Sequence, residues 1–116
     1  MRVVVSCLLA CCAAVFFPAH AEPPGYERCT ACHAGTEATK ELGPSLAGVF
    51  GRSAGSREDF RYSRAMSRSG ITWDAQSLDA YLKAPADFMP GTRMPFEGIA
   101  SDAERAAIIE YLKTFR

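Results

Sequence analysis

Hydrophobic positions are most regular at the C-terminal end of the chain. In SDAERAAIIEYLKTFR, residues 101 to 116, Ile108, Tyr111, Leu112 and Phe115 recur at i, i+3, i+4 and i+7, which is one stripe of a helix. Ser101 followed three positions later by Glu104 is a capping-box pattern and predicts where that helix begins. Upstream, TWDAQSLDAYLKAP predicts a second helix with Leu78, Tyr81 and Leu82 on one face. Thr72 is its predicted cap, Asp74 lies near its positive end and Pro85 stops it. REDFRYSRAMSRSG is polar with Phe60, Tyr62 and Met66 spaced through it, and predicts a small helix ending at Gly70. LGPSLAGVFGRSAGS is too rich in glycine and proline for regular structure and reads as a loop. From Tyr26 to about Ala34 the pattern allows one or two helical turns, bounded by Pro23 and Pro24, which favour extended backbone. No alternating strand and no internal repeat is evident. The pattern predicts an all-α fold, one small domain of three to five helices joined by long loops.

The N-terminal sequence belongs to a different class. Arg2 precedes an apolar run from Val3 to Phe17 and then Ala19-His20-Ala21, small residues at positions −3 and −1 of a cleavage site. This predicts a secretory signal peptide over residues 1–21, cleaved before Glu22, with residues 22–116 as the domain. The run is too short to make a convincing membrane anchor, so no membrane span is expected after cleavage. Cleavage also removes Cys7, Cys11, Cys12 and His20, leaving Cys29, Cys32 and His33 as the mature chain's complete set of cysteines and histidines. Loss of Arg2 leaves 12 basic against 13 acidic residues. A nearly neutral chain of this kind is not a nucleic-acid binder.

The remaining cysteines stand in YERCTACHAG. Three chemistries use C-x-x-C, namely a redox dithiol, half of a zinc site and covalent haem attachment, and only the last requires histidine immediately afterwards. On a helix Cys29, Cys32 and His33, at i, i+3 and i+4, share one face and can address one flat object. A dithiol of the thioredoxin type belongs beside a strand of a βαβ unit, which is missing here. Structural zinc takes four ligands, more than the mature chain offers as cysteine and histidine. One covalently attached haem is therefore the expected cofactor, with a plain disulfide as the bland alternative. A buried porphyrin would also supply core that a domain of 95 residues otherwise lacks.

Haem iron held by one histidine is open on its other side, and what fills that position separates an electron carrier from a ligand binder. From the residues alone the candidates are Met66, Met89 and Met94, with a lysine or an open position behind them. Met89 and Met94 flank a Pro-Gly-Thr turn in DFMPGTRMPFEG. Apolar gap filling is the default role for Met66 and Met89. For Met94 the rigid loop offers a way to project a thioether inward.

Four stretches, CTACH, GPSLAGVFGR, GITWDAQSLDAYL and MPGTRMPFEGI, stand in the order and close to the spacing of a known family. The chain resembles the small class I monohaem cytochromes c, near the mitochondrial cytochrome c and bacterial cytochrome c2 group, over nearly all of residues 22–116. The resemblance implies His33 and Met94 as axial ligands and Cys29 and Cys32 as attachment points. It implies Pro44 as acceptor for the other ring nitrogen of His33. Arg52, Tyr62 and Trp73 match residues around the haem propionates, Tyr81 matches the tyrosine near the axial methionine, Thr92 matches a propionate-side hydroxyl, and Phe96 matches the aromatic at the exposed haem edge. The chain also departs from the family. Its N-terminal helix is almost absent, which puts packing against the C-terminal helix in question. Met66 stands where mitochondrial proteins carry asparagine, and most edge lysines are missing, with Arg28 and Arg93 left.

The resemblance implies a periplasmic one-electron carrier, a monomer docking transiently through the haem edge to a redox donor and an acceptor, with no enzymatic activity. A haem-based ligand binder or sensor with a labile sixth ligand is the alternative. Near-neutral charge predicts weak salt dependence of docking. The arginines from Arg52 to Arg68 read as a solvated face more than a docking patch.

Overall fold

The computed structural model describes residues 21–116, so the predicted leader lies outside the described residues except for Ala21. Among the described residues five helices follow one another: α1 Glu27–His33, α2 Arg64–Ser67, α3 Ala75–Lys83, α4 Pro85–Phe88 and α5 Asp102–Thr114. Among the described residues there is no strand, only an isolated antiparallel bridge between Ser53 and Thr72. The long loop from Ala34 to Ser63 and the segment from Met89 to Ser101 carry no helix.

Helix α3 is capped by Asp74, not by Thr72. The Asp74 carboxylate accepts from Ser77 N at 2.7 Å, and Ser77 Oγ accepts from Asp74 N at 2.9 Å, a reciprocal box with serine at the third position. Thr72 contributes its carbonyl, which accepts from Ser77 Oγ at 3.1 Å. Pro85 ends α3 as predicted but also opens α4, whose first position needs no N–H. At α5 half of the predicted box forms: Ser101 Oγ accepts from Glu104 N at 3.2 Å. The Glu104 side chain turns instead to Arg28 of α1. The predicted small helix ending at Gly70 is shorter, a single turn capped by Ser63.

The stripe on α5 faces inward, with Ile108 and Leu112 buried and Tyr111 and Phe115 half-buried; Ile109, off that stripe, is buried as well. Burial of each such aliphatic side chain contributes about 1.5–3 kcal/mol. Helix α3 packs against α5 and α4, bringing Leu78, Tyr81 and Leu82 into the same core. Short as α1 is, the N-terminal segment does engage the C-terminal helix. Tyr26, just before α1, meets Tyr111 edge-on at 4.8 Å between ring centroids, and Arg28 pairs with Glu104.

Candidate functional site

Between α1, the 42–53 loop, α3, α5 and the 92–96 segment lies a cavity of about 510 Å³. Helix α1 supplies Cys29, Cys32 and His33, all lining it, with both thiols free. The Cys29 side chain is buried. His33 donates from Nδ1 to the Pro44 carbonyl at 2.7 Å, which fixes the tautomer and leaves Nε2 as the lone-pair nitrogen. Burial lowers the His33 pKa, only partly offset by that hydrogen bond, so the ring is held neutral. Among the described residues no three His, Cys, Asp or Glu side chains converge as metal ligands, as a zinc site would need.

Every residue that the resemblance singles out lines this cavity: Cys29, Cys32, His33, Pro44, Arg52, Tyr62, Trp73, Tyr81, Thr92, Met94 and Phe96. Arg52 is half-buried and donates to the carbonyls of Ala47 at 2.9 Å and Ser45 at 3.4 Å, while desolvation lowers its pKa. Trp73 is buried with its ring 5.2 Å from that of Tyr81. Tyr62 packs edge-on against Phe60 at 5.0 Å. The Tyr81 hydroxyl and Thr92 Oγ1 share a 2.7 Å hydrogen bond, and burial raises the Tyr81 pKa against that bond. Thr92 Oγ1 also accepts from Met94 N at 3.4 Å, so the turn before Met94 is tied to α3. Phe96 lies under Arg28, whose guanidinium is 6.0 Å from the ring centroid.

The three candidate methionines separate. Met94 and Met66 line the cavity, whereas Met89 is 4 % exposed within the core and does not. The donor set fits a haem: two thiols, a neutral imidazole with one nitrogen free, and a thioether border a single cavity whose remaining wall includes Leu46, Val49, Leu78, Leu82, Ile108 and Leu112. Neither that apolar wall nor Gly43 is marked as lining by the sequence pattern. A Cβ at Gly43 would stand 2.9 Å from His33 Nδ1, from His33 Cε1 and from the Cys32 carbonyl. Only glycine lets the loop lie this close to the ring, and the Gly-Pro pair after the histidine was the available signal.

The family profile described as Cytochrome c matches residues 25–116. The chain is a member of the cytochrome c family. It is 44 % identical over 92 residues to cytochrome c2 iso-2 of Magnetospirillum fulvum, covering 79 % of this chain and 96 % of that one. It is 47 % identical over 87 residues to cytochrome c of Tetrahymena pyriformis, covering 75 % and 78 %. Among solved structures, cytochrome cH from Methylobacterium extorquens superposes with a TM-score of 0.70 at 39 % identity, covering 77 % of this chain and 90 % of that one. A cytochrome c carries one haem covalently bound through two cysteines, and this chain brings Cys29 and Cys32 to the cavity. As a c-type cytochrome it is an electron carrier working between redox partners, not an enzyme.

Proposed function

We propose that this cytochrome is a periplasmic one-electron carrier whose haem iron is held by His33 and Met94. The observation that carries the reading is the shared cavity: His33, its ring fixed by Pro44, and Met94 both border it and Met89 does not, while Met66, which borders it too, stands where mitochondrial relatives carry asparagine. The bound haem would supply an iron that gains and loses one electron. The residues around it would keep both ligands in place through that change. Pro44 and Gly43 hold the imidazole against rotation. Tyr81 and Thr92 hold the turn that presents the thioether, a soft ligand that favours the reduced metal. The apolar wall excludes water and disfavours extra charge in the same direction. Arg52, with Tyr62 and Trp73, all lining the cavity, would receive the propionates.

Partner docking would use the rim formed by Phe96, Arg28 and Arg93. Arg28 is already engaged by Glu104, and Arg93 donates to the Arg61 carbonyl, which suits brief contact by a monomer with modest salt dependence. Among the described residues no helix is long and apolar enough to cross a membrane. Export rests on the leader over residues 1–21, with residues 22–116 as the mature domain.

The test is a visible and near-infrared spectrum, oxidised and reduced, of protein exported with the haem-attachment machinery, with carbon monoxide added to the reduced form. A c-type spectrum with the weak methionine-to-iron band, unmoved by carbon monoxide, is the expected outcome. A c-type spectrum lacking the band and shifting at once with carbon monoxide would make the protein a ligand binder or sensor.

A further inference from the structure

Arg105 is a charged side chain with only 2 % of its surface exposed. A guanidinium withdrawn from water is costly unless its donors are matched. Its Nε donates to Asp79 of α3 at 2.8 Å, and Nη2 donates to Asp102. Its Nη1 donates to the carbonyls of Ile99 at 2.7 Å and Ala100 at 3.0 Å. The two carboxylates balance the charge; the two carbonyls belong to the end of the segment that carries Met94.

That end is otherwise fastened by backbone. Ile99 N donates to the Leu82 carbonyl at 2.8 Å. Gly98, at φ +114°, lies so close to the Lys83 carbonyl that no Cβ fits. The near end is fastened by buried Met89 and by the Thr92–Tyr81 bond. Between these points, residues 93–97 have one backbone–backbone hydrogen bond of their own, Phe96 N to Met94 O at 2.9 Å, besides Met94 N to Thr92 Oγ1 at 3.4 Å and the Arg93 side chain to the Arg61 carbonyl. A stretch with so little internal bonding opens at a frequency set by its fastenings.

We propose that Arg105 is a positioning residue for the Met94 segment: through the Ile99 and Ala100 carbonyls it sets how often residues 93–98 lift away from the cavity. The proposal rests on the reading of Met94 as iron ligand. With haem bound, lifting would withdraw the Met94 thioether from the iron position it would hold and let an exogenous imidazole take that position in its place, with no electron or proton transferred.

The experiment uses oxidised holoprotein, with imidazole binding followed by stopped flow and amide exchange followed at Arg93, Met94, Phe96 and Glu97. Arg105→Met, Arg105→Lys and Asp79→Asn are compared with Ile109→Val, a buried α5 change off the cavity, all brought to equal global stability with urea. At matched stability Arg105→Met is expected to bind imidazole about tenfold faster than Ile109→Val, with exchange in the segment accelerated alike and exchange in α5 unchanged. Arg105→Lys is expected to fall between, and Asp79→Asn to give about threefold. Equal rates in Arg105→Met and Ile109→Val would overturn the proposal and leave Arg105 a general staple. If Arg105→Met does not fold, Asp79→Asn against Ile109→Val carries the same decision. Wild-type imidazole binding in Met94→Ala would remove the ligand reading, while the exchange data would still decide whether Arg105 fastens the segment.

Discussion

On one side of the cavity Cys29, Cys32 and His33 sit within a seven-residue helix, and the histidine ring is held by a carbonyl eleven positions along the chain. On another side Met94 stands in a stretch without helix or strand, held by Tyr81 and Leu82 from α3 and by Arg105 from α5. The first arrangement is made locally, by helical spacing and a close loop. The second exists only after α3 and α5 have packed together. A perturbation of the core should therefore release the methionine side before the histidine side.

The widest separation is expected between two neighbouring methionines. Met89→Ala should cost about 2–5 kcal/mol in urea unfolding, because a buried side chain leaves a cavity, yet the reduced holoprotein should still refuse carbon monoxide. Met94→Ala should do the reverse, binding carbon monoxide with a smaller loss of stability. If the two phenotypes exchange, Met89 is the ligand and the 93–97 stretch does not supply it. On the histidine side, Gly43→Ala should cost about 1–3 kcal/mol, since the new methyl must displace the His33 ring or the loop. Holoprotein yield and urea midpoint would register it, and an unaffected protein would mean that the ring is not held as tightly as the 2.9 Å approach implies.

Smaller effects test the finer ties. Tyr81→Phe removes one hydrogen bond to Thr92 and should cost about 0.5–1.5 kcal/mol, with faster amide exchange at Thr92 and Met94 and none of it at His33. Equal acceleration on both sides would show the two to be one cooperative unit. The last prediction concerns Tyr26, whose pKa is raised from 10.0 chiefly by burial and further by neighbouring Tyr111. The folded state keeps the phenol neutral where the unfolded chain ionises it, so this stabilisation is whole below pH 10 and fades as the pH rises above it. Thermal midpoints measured across that range should fall less steeply in Tyr26→Phe than in the wild type.

Much of this was open to inspection in the sequence for a definite reason. Helix periodicity, the spacing of Cys29, Cys32 and His33, and the Pro85 break are local, and local geometry needs few residues to declare itself. The cap of α3 was misassigned to Thr72 because serine can replace glutamate in a reciprocal box, so Asp74 carried the signal. Half of the α5 box was lost because Arg28 competes for Glu104, a partner 76 positions away. That same pairing, with Tyr26 on Tyr111, lets a minimal N-terminal helix still contact α5.

By itself, then, the sequence determined the all-α class, the covalent haem motif and the family to which it belongs, because each depends on residues a few positions apart or on an ordered set of short motifs. That Met66 and Met94 border the cavity while Met89 lies in the core, why Gly43 admits no side chain and where the buried charge of Arg105 finds its partners depend on the tertiary structure. Those facts turn on distances between segments far apart in the chain, and only the packing of α3 on α5 brings such segments together.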